Sequence, residues 1–501
     1  MSNKDKKGAE QILNLIDTKK SDYWMRVRSR EMIRVFHRAA RDVPAYKDFL
    51  GKNKIDPDKI KTLKDFQLVP PVSKKNYLRK YELVKLCHSG TLRQPLVFTS
   101  TSGSTGEPIY FPRGENIDWQ SSVIHELFLK QSSYGYQQST LVIICFGMGV
   151  WIGGLITYQA FRNIQKRGHP ISIITPGINK DEIFKSIKKL GSDYYQIIIC
   201  GYPPFVKDLV DESVANDVDL KQYRLRFIMA AETFSEEYRD YIAIHSGIKN
   251  VFLDTMNIYG SADLGTMAFE TPISILLRRL ISKNQTDFSF LFSIANKFPT
   301  LTQYCPHFTN FEEFDGEILL TGENLTPLIR YSIGDSGGTT PYSNVAELLK
   351  KYGHTELEKE IRKHKLLKFV YQLPFVHVYE RSDHSVKLYG AIIYPEPIRH
   401  AMLSDSIQKY CTGKFAMLVR YDDNMDERLE VNVELKPGLL PDSNFTKQVE
   451  KAIIEKLSAY NAEYRNNYNM MPQKVTPQIN IWPNGDNMFF AAGIKQKWVR
   501  K

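Results

Sequence analysis

Phe98-Thr99-Ser100-Thr101-Ser102-Gly103-Ser104-Thr105-Gly106-Glu107-Pro108 is the most informative stretch of this chain. Apolar residues flank it at 95–98 and 109–111, which predicts a strand, a hydroxyl-rich loop and a second strand. Glycines let backbone N–H groups converge on phosphate oxygens, and Ser and Thr hydroxyls donate further hydrogen bonds. No Gly-Lys-Ser/Thr follows, so this is not a Walker loop. By itself the stretch is either a phosphate-binding loop or a solvated Ser/Thr turn in a hairpin.

The length and net charge of the chain limit the number of domains and the class of partner. The chain has 501 residues, of which 42% are hydrophobic, and this length predicts at least two domains. Its 67 Lys and Arg residues outnumber 56 Asp and Glu residues, giving a net charge of +11. A basic balance suits anionic partners such as nucleotides, coenzyme A, an acidic carrier protein, nucleic acid or a membrane surface. No recognised nucleic-acid-binding module accompanies the charge, so we expect no nucleic-acid partner, and much of the excess is typical of a solvated basic surface.

The cysteines indicate a reducing compartment. There are five, far apart and without a CxxC pair: Cys87, Cys145, Cys200, Cys305 and Cys411. We expect no disulfides. Cys87-His88 and Cys305-Pro306-His307 could combine into a zinc site, although pairs spaced this loosely are usually structural.

No segment predicts export or membrane insertion. The first seven residues have no apolar core and do not form a signal peptide. The longest uncharged apolar run, 141–156, is shorter than a comfortable membrane span and contains four glycines. We therefore expect a cytoplasmic protein without a membrane span, and a buried strand, a glycine loop and the start of a helix within this run.

The order of the predicted elements indicates an α/β fold. Helical spacing covers about 8–50, 118–135, 154–166, 180–190 and 204–214, and short apolar runs at 140–146, 171–175, 196–200, 226–230 and 250–254 predict strands. Alternating strands and helices imply a parallel sheet covered by helices.

The pattern of predicted elements changes near residue 380. There, strands at 415–419, 429–435 and 478–482 and a helix at 444–464 predict a small α+β domain. The charged stretch 344–367 is interpreted as a helical surface insertion.

Four further segments join the opening stretch in a fixed order. They are Ala231-Glu232-Thr233, Asn257-Ile258-Tyr259-Gly260-Ser261-Ala262-Asp263, the pair Gly316–Thr321 and Pro327–Asp335, and Glu380-Arg381-Ser382-Asp383 followed by Lys387–Pro395. This series resembles the adenylate-forming superfamily, and most closely its phenylacetate–CoA ligase and CapK-like branch. The Gly201-Tyr202-Pro203-Pro204 loop and the Tyr-Gly-x-x-Ile-Tyr-Pro ending are the cues for that branch. The resemblance runs from about residue 90 to the C-terminus.

The resemblance implies a large N-terminal domain, 1–382, and a small mobile C-terminal domain, 383–501. It implies that a carboxylate attacks the α-phosphate of ATP, with Mg²⁺ on the phosphates, to give an acyl-adenylate and pyrophosphate. Coenzyme A is the acceptor expected first. A carrier-protein thiol, an amine or a sugar hydroxyl stays open, as in capsule-type biosynthesis. A non-catalytic adenine-nucleotide-binding protein of the same fold is the alternative, and it would rest on Glu107, Ala231 and Asp263, which depart from the family pattern.

The nucleotide site follows residue by residue from the resemblance. Thr101, Ser102, Gly103, Ser104, Thr105 and Gly106 would hold the phosphates, with Glu107 where many relatives have Lys. The adenine and its surroundings would involve Ala231, Glu232, Thr233, Asn257, Tyr259, Gly260 and Ser261, with Tyr259 stacking on the base. Ordinary structural roles stay open for Glu232, as a carboxylate at a strand end, and for Tyr259, as a core aromatic residue. Asp335 would accept both ribose hydroxyls, a task that suits two carboxylate oxygens, and Arg381 would reach the ribose or phosphate.

The remaining assignments concern catalysis and the acyl group. Asp263 stands where relatives commonly have Glu and would help hold Mg²⁺, because Asp is also a hard oxygen ligand. Lys495 would stabilise the developing negative charge during adenylation, with Lys497 as the alternative. Asp383 would be the hinge between the domains. Gly149 and Trp151 would face the acyl group, although Trp151 could equally be core. Gly390 would lie near the path of the acceptor.

Overall fold

We describe the protein from a computed structural model. It covers residues 3–101, 108–283, 299–351, 356–381, 385–422, 424–440, 443–486 and 488–490, without the side chains of residues 3, 4, 380 and 381. The chain forms two compact units. The first comprises Met1–Thr99, Phe111–Gly201 and Val210–Glu380, and the second comprises Ser100–Tyr110, Tyr202–Leu209 and Arg381–Lys501. The smaller unit therefore includes two short segments from the first half of the chain, which the sequence does not predict.

Helices and strands alternate over most of the chain before residue 381. The helices are α1 (Asn3–Thr18), α2 (Ser21–Asp42), α3 (Pro44–Lys52), α4 (Leu63–Phe66), α5 (Leu83–Leu86), α6 (Glu115–Lys130), α7 (Ile152–Lys166), α8 (Lys180–Leu190), α9 (Pro203–Glu212), α10 (Glu236–Ser246), α11 (Val251–Asp254), α12 (Pro272–Lys283), α13 (Tyr342–Lys351) and α14 (Glu356–Lys363). The strands are β1 (Val72–Ser73), β2 (Val97–Ser100), β3 (Tyr110–Arg113), β4 (Thr140–Cys145), β5 (Ile171–Ile174), β6 (Gln196–Gly201), β7 (Leu225–Ala230), β8 (Thr255–Ser261), β9 (Gly265–Phe269), β10 (Thr300–Gln303), β11 (Thr309–Phe314), β12 (Glu317–Gly322), β13 (Leu328–Thr340) and β14 (Phe375–Arg381).

One large sheet organises the first unit. Its strand order is β11-β12-β13-β14-β10-β9-β8-β7-β6-β4-β5, and β1 pairs with β13. Neighbouring strands from β5 to β8 are parallel, as the alternation of strands and helices predicts. Every residue of β4 and of β6 is buried, which explains why these strands are continuous apolar runs. A parallel sheet with both faces covered buries its strands in this way, so the expected α/β fold class is confirmed.

The other half of the sheet is mainly antiparallel. Strands β8 and β9, β9 and β10, β10 and β14, β11 and β12, and β12 and β13 pair in antiparallel fashion. Only a few residues separate β12 from β13 and β11 from β12. A connection this short can join antiparallel neighbours, whereas a parallel crossover needs a dozen residues or more. The alternation that predicts a parallel sheet ends with the strand predicted at 250–254, so the antiparallel half of the sheet lies beyond that prediction.

The strand predicted at 250–254 is also wrong, because the chain forms the short helix α11 there. Asn250 caps this helix, and its side chain accepts hydrogen bonds from the backbone N–H groups of Phe252 and Leu253. The strand begins at Thr255 instead, so that residues 257–261 lie within β8 rather than after a strand. Side-chain capping by Asn competes with extended structure, which apolar patterning alone does not detect.

The second unit has its own sheet. After residue 381 the elements are β15 (Val386–Leu388), β16 (Ala391–Ile393), α15 (Pro395–Met402), α16 (Asp405–Gln408), β17 (Cys411–Tyr421), β18 (Glu427–Leu435), α17 (Ser443–Tyr460), α18 (Ala462–Met470), α19 (Pro472–Val475) and β19 (Gln478–Trp482). Strands β17, β18 and β19 form the sheet, and α17 packs on β19. The helix predicted at 444–464 is two helices, because Asn461 caps α18 by accepting a hydrogen bond from Tyr464 N and donates through Nδ2 to Ile392 O.

The stretch predicted as a surface insertion contains α13 and α14. Each helix is amphipathic, with Val345 and Leu349 buried in α13 and Leu357 and Ile361 buried in α14. Helix α14 packs on α12. No described helix combines the length and apolar character needed to cross a bilayer.

A buried ion pair joins α6 to the end of α7. The Glu126 carboxylate lies 2.6 Å from Arg167 Nη2 and 2.9 Å from His169 Nε2, and all three side chains are at most 5% exposed. Burial raises the pKa of Glu126, but the hydrogen bond from His169 and the charge of Arg167 outweigh burial and lower it overall. Glu126 therefore stabilises the fold in its ionised form.

We expect Glu126→Gln to lower the free energy of unfolding by about 3 kcal/mol at pH 7, because it leaves the Arg167 charge buried without its partner. The pKa of Glu126 is lower in the folded chain, so its contribution is complete above the unfolded pKa and is lost as pH falls through the folded value. The difference between wild type and variant should shrink as pH falls below about 4.5, the ordinary pKa of Glu. Urea unfolding on both sides of this pH measures it, and a difference that does not change with pH would contradict the assignment.

Candidate active site

The loop after β7 and the strand β8 bring the first group of predicted residues together. Ala231 follows β7 with φ 78°, a left-handed conformation that turns the chain away from the sheet. The next residue, Glu232, is 5% exposed, and its backbone oxygen accepts a hydrogen bond from Asn257 Nδ2 at 3.1 Å. Half-buried Thr233 continues the same loop. The two segments that the sequence assigns to adenine are thus joined by a direct contact.

The amide of Asn257 has spare hydrogen-bonding capacity. The residue is 3% exposed, and its Oδ1 atom is buried without a hydrogen-bond partner in the described part of the chain. A buried amide oxygen is nearly always paired in a folded protein, because leaving it unpaired costs free energy. Its chemistry suits an N–H group of a ligand.

Two tyrosines connect the β8 segment to β13. Tyr259 O–H donates to Asp335 Oδ2 at 2.5 Å, and Tyr331 O–H donates to Asp263 Oδ2 at 2.8 Å. Both carboxylates are buried, at 8% exposure for Asp335 and 2% for Asp263. The role of Tyr331 is missing from the sequence prediction, although the residue lies in the Pro327–Asp335 segment. These side-chain contacts join the 257–263 segment to β13, and each predicted acidic residue has one carboxylate oxygen bound by a tyrosine.

The turn after β8 requires close backbone approach. A Cβ atom on Gly260 would lie 2.7 Å from the backbone oxygen of Gly265, which explains a glycine there. Ser261 Oγ accepts a hydrogen bond from Leu264 N at 3.3 Å and so closes the turn that carries Asp263.

The predicted phosphate loop is anchored at its entrance. Thr99 Oγ1 donates to the backbone oxygen of Ala262 at 3.4 Å, next to Asp263. Thr101 N donates to Ile109 O at 3.1 Å, and Ile109 N donates to Thr101 Oγ1 at 3.0 Å, so the two ends of the loop are paired. The predicted hairpin strands are confirmed as β2 and β3.

The structure gives the position, burial and backbone conformation of the residues predicted to face the acyl group and the acceptor. Trp151 precedes α7 and is half-buried, while Gly149 has φ 93° and is exposed. In the second unit, Gly390 is buried with φ 83°, and a Cβ there would lie 2.6 Å from the Tyr202 ring. These roles stay predictions.

Several predicted residues lie outside the described part of the chain. They are Ser102, Gly103, Ser104, Thr105, Gly106, Asp383, Lys495 and Lys497. Arg381 is the last residue of β14, and its side chain also lies outside.

A cavity of about 770 Å³ in the first unit is distinct from these residues. Arg34, Arg38, His88, His307 and Glu323 are among its lining residues, and no predicted nucleotide-site residue lines it. The histidines of the possible zinc site therefore face one cavity. No group of three or more metal-ligating side chains occurs among the described residues, so nothing there completes a zinc site.

The likeness to solved structures identifies the fold. No protein-family profile and no curated protein matches the sequence. A crystal structure of 2-hydroxyisobutyryl-CoA ligase with 2-HIB-AMP and CoA superposes with a TM-score of 0.63 at 14% identity, covering 96% of this chain and 90% of that chain. The open conformation of the same ligase gives 0.51 at 14% identity, covering 94% and 89%. The chain has the fold of the adenylate-forming ligases.

The backbone at Ala231, directly after β7, is strained for a residue with a Cβ atom. Ala231 holds a left-handed backbone conformation that glycine adopts without a steric penalty. We expect Ala231→Gly to raise the free energy of unfolding by about 1 kcal/mol, because relief of the strain exceeds the added chain entropy of glycine. Urea unfolding measures this change.

Ala230→Gly is the matched control, because Ala230 lies in β7 and is not among the residues with positive φ. It should lower stability by about 0.5–1 kcal/mol, the usual cost of glycine in a strand. Two variants that both destabilise by similar amounts would show that the Ala231 conformation carries no strain.

Proposed function

We propose that this protein is an ATP-dependent acid ligase. A carboxylate oxygen of the substrate attacks the α-phosphorus of ATP, the bond to the β-phosphate oxygen breaks, and pyrophosphate leaves. The acyl-adenylate then loses AMP as the acyl carbon bonds to an acceptor. We take coenzyme A as the first acceptor to test and the phenylacetate–CoA ligase-like branch as the working subtype.

The observation that carries the proposal is the pair of contacts between β13 and the 257–263 segment. Tyr259 binds Asp335 through Oδ2, and Oδ1 takes no part in that hydrogen bond. A fixed carboxylate with a spare oxygen suits two ribose hydroxyls, since an ionised carboxylate only accepts hydrogen bonds. Asn257 Oδ1, two residues before Tyr259 on β8, offers an acceptor for the base. The 257–263 segment and β13 therefore supply groups suited to the base and to the sugar.

The residues present also fit Mg²⁺ carried by nucleotide phosphates. Tyr331 donates a hydrogen bond to Asp263 Oδ2, and Oδ1 takes no part in that bond. A carboxylate oxygen is a hard ligand of the kind that Mg²⁺ prefers. Mg²⁺ usually binds through one or two carboxylates and substrate phosphates rather than a protein cage. Asp263 would hold the ion, which would neutralise phosphate charge when bound. Tyr331 fixes the carboxylate in one orientation.

The remaining steps depend on residues outside the described chain. We propose that the 102–106 loop binds the phosphates through backbone N–H groups and hydroxyls, and that Lys495 stabilises charge at the α-phosphate. Arg381 would contact ribose or phosphate. After adenylation, rotation of the C-terminal domain, 383–501, about Asp383 would bring the acceptor to the acyl-adenylate.

Coenzyme A is a proposal supported by the similar ligase, whose crystal structure holds CoA. A carrier-protein thiol, an amine or a sugar hydroxyl is the alternative acceptor. Each of these acceptors would take the acyl group from the same acyl-adenylate. Formation of the acyl-adenylate can therefore be tested without knowing the acceptor.

We expect pyrophosphate release from ATP and Mg²⁺ with a member of a panel of aryl, fatty and amino acids, without coenzyme A. Asp335→Ala should raise the KM for ATP about tenfold to a hundredfold, since a hydrogen bond to a charged group contributes about 1.5–3 kcal/mol. Lys495→Ala should abolish release and leave ATP binding, measured by calorimetry, intact.

Lys497→Ala is the control for the lysine assignment. Release that survives Lys495→Ala but not Lys497→Ala would move the catalytic role to Lys497. A protein that binds ATP and releases no pyrophosphate with any acid would favour the non-catalytic alternative.

A further inference from the structure

A buried arginine lies behind the β8 strand. Arg239, fully buried on α10, donates through Nη2 to Glu270 Oε1 at 2.6 Å, through Nε to Glu236 Oε2 at 2.9 Å and through Nη1 to Thr255 Oγ1 at 2.7 Å. These acceptors lie on α10, on β8 and directly after β9. One guanidinium therefore fixes three elements that meet beneath the candidate site.

Glu270 transmits this restraint to Asn257. Its Oε2 atom accepts the backbone N–H of Asn257 at 2.8 Å, and its own N–H donates to Asn257 O at 2.8 Å. Glu270 is 1% exposed, so water does not compete for these bonds. Both backbone polar groups of Asn257 are thus held by a single residue, whose side chain is in turn held by Arg239.

The network also holds the other side of the candidate adenine site. Glu236 accepts from Arg278 Nη1 at 2.7 Å, and Arg278 Nη2 donates to the backbone oxygen of Phe234. Phe234 immediately follows the 231–233 loop. Burial raises the pKa of Glu236, but the charges of Arg239 and Arg278 outweigh it and lower the pKa overall, which keeps this carboxylate ionised. The 231–234 loop and Asn257 are consequently tied to one ionic network.

We propose that Glu270, supported by Arg239, is a positioning residue for the adenine base. It sets the distance between Asn257 and the 231–233 loop by holding the Asn257 backbone, and it touches no substrate itself. This inference rests on the proposed function only in assuming that adenine binds between these two segments. Misplacement of a binding group by about 1 Å can cost up to about a hundredfold in rate, so a restraint of this kind has a measurable effect.

Glu270→Ala and Glu270→Gln test the inference. The alanine variant removes both contacts, whereas glutamine keeps a carbonyl oxygen for Asn257 N and loses the charge that pairs with Arg239. Calorimetry with AMP should show affinity reduced about tenfold or more for Glu270→Ala and by less for Glu270→Gln. In turnover, the KM for ATP should rise while the KM for the acid stays unchanged, and the preference for ATP over GTP should decrease.

Glu126→Gln is the matched control. It breaks another buried Arg–Glu pair in the first unit, so it also lowers stability, but its AMP affinity should stay within about twofold of wild type. Glu270 would have only a structural role if AMP affinity fell equally in Glu126→Gln and Glu270→Ala. The same conclusion would follow if the KM values for ATP and for the acid rose together in the Glu270 variants. Should Glu270→Ala not fold, Glu270→Gln with unchanged AMP affinity and unchanged ATP/GTP preference would overturn the proposal.

The binding measurement separates this inference from the proposed function. A wild-type protein that binds AMP but releases no pyrophosphate contradicts acid activation, while the AMP comparison among variants still decides the role of Glu270. A wild-type protein that binds neither AMP nor ATP contradicts both.

Discussion

The contacts between β13 and the 257–263 segment are the constraint on which the candidate site depends. Tyr259 binds Asp335, and Tyr331 binds Asp263, so β13 and the 257–263 segment each contribute one tyrosine and one carboxylate. The partners are 76 and 68 residues apart in sequence. The folding of the large sheet brings them within hydrogen-bond distance, and the candidate site is therefore a product of the sheet rather than of a local motif.

Buried charge gives this region its rigidity. Arg226, Arg239 and Arg278 are buried, and carboxylates lie within 3.1 Å of each. Removing one partner from such a pair costs far more than the pair contributes net, because an unpaired charge then stays in a poorly solvated interior. These pairs hold the strand and loop segments beneath the site in one arrangement, as a preorganised binding site requires.

The sequence predicts the fold class, the order of most elements and the positions of the site segments. Apolar runs identify β4 and β6 because those strands are buried on both faces. The start of β8 is mispredicted because Asn250 caps a helical turn, a local side-chain effect that outweighs apolar patterning. The roles of Asp335 and Asn257 come from resemblance to known ligases. Tyr331 and Glu270 escape prediction because their proposed roles depend on contacts between residues distant in sequence, which no local pattern encodes.

The most direct test of the central claim follows an oxygen atom. With the acid that supports turnover labelled with ¹⁸O in its carboxylate, attack on the α-phosphorus predicts that AMP carries one ¹⁸O atom after acyl transfer. Mass spectrometry of the nucleotide product reads this directly. AMP with one label and pyrophosphate without label would support acyl-adenylate formation at this site. Unlabelled AMP, or ADP as the nucleotide product, would contradict it.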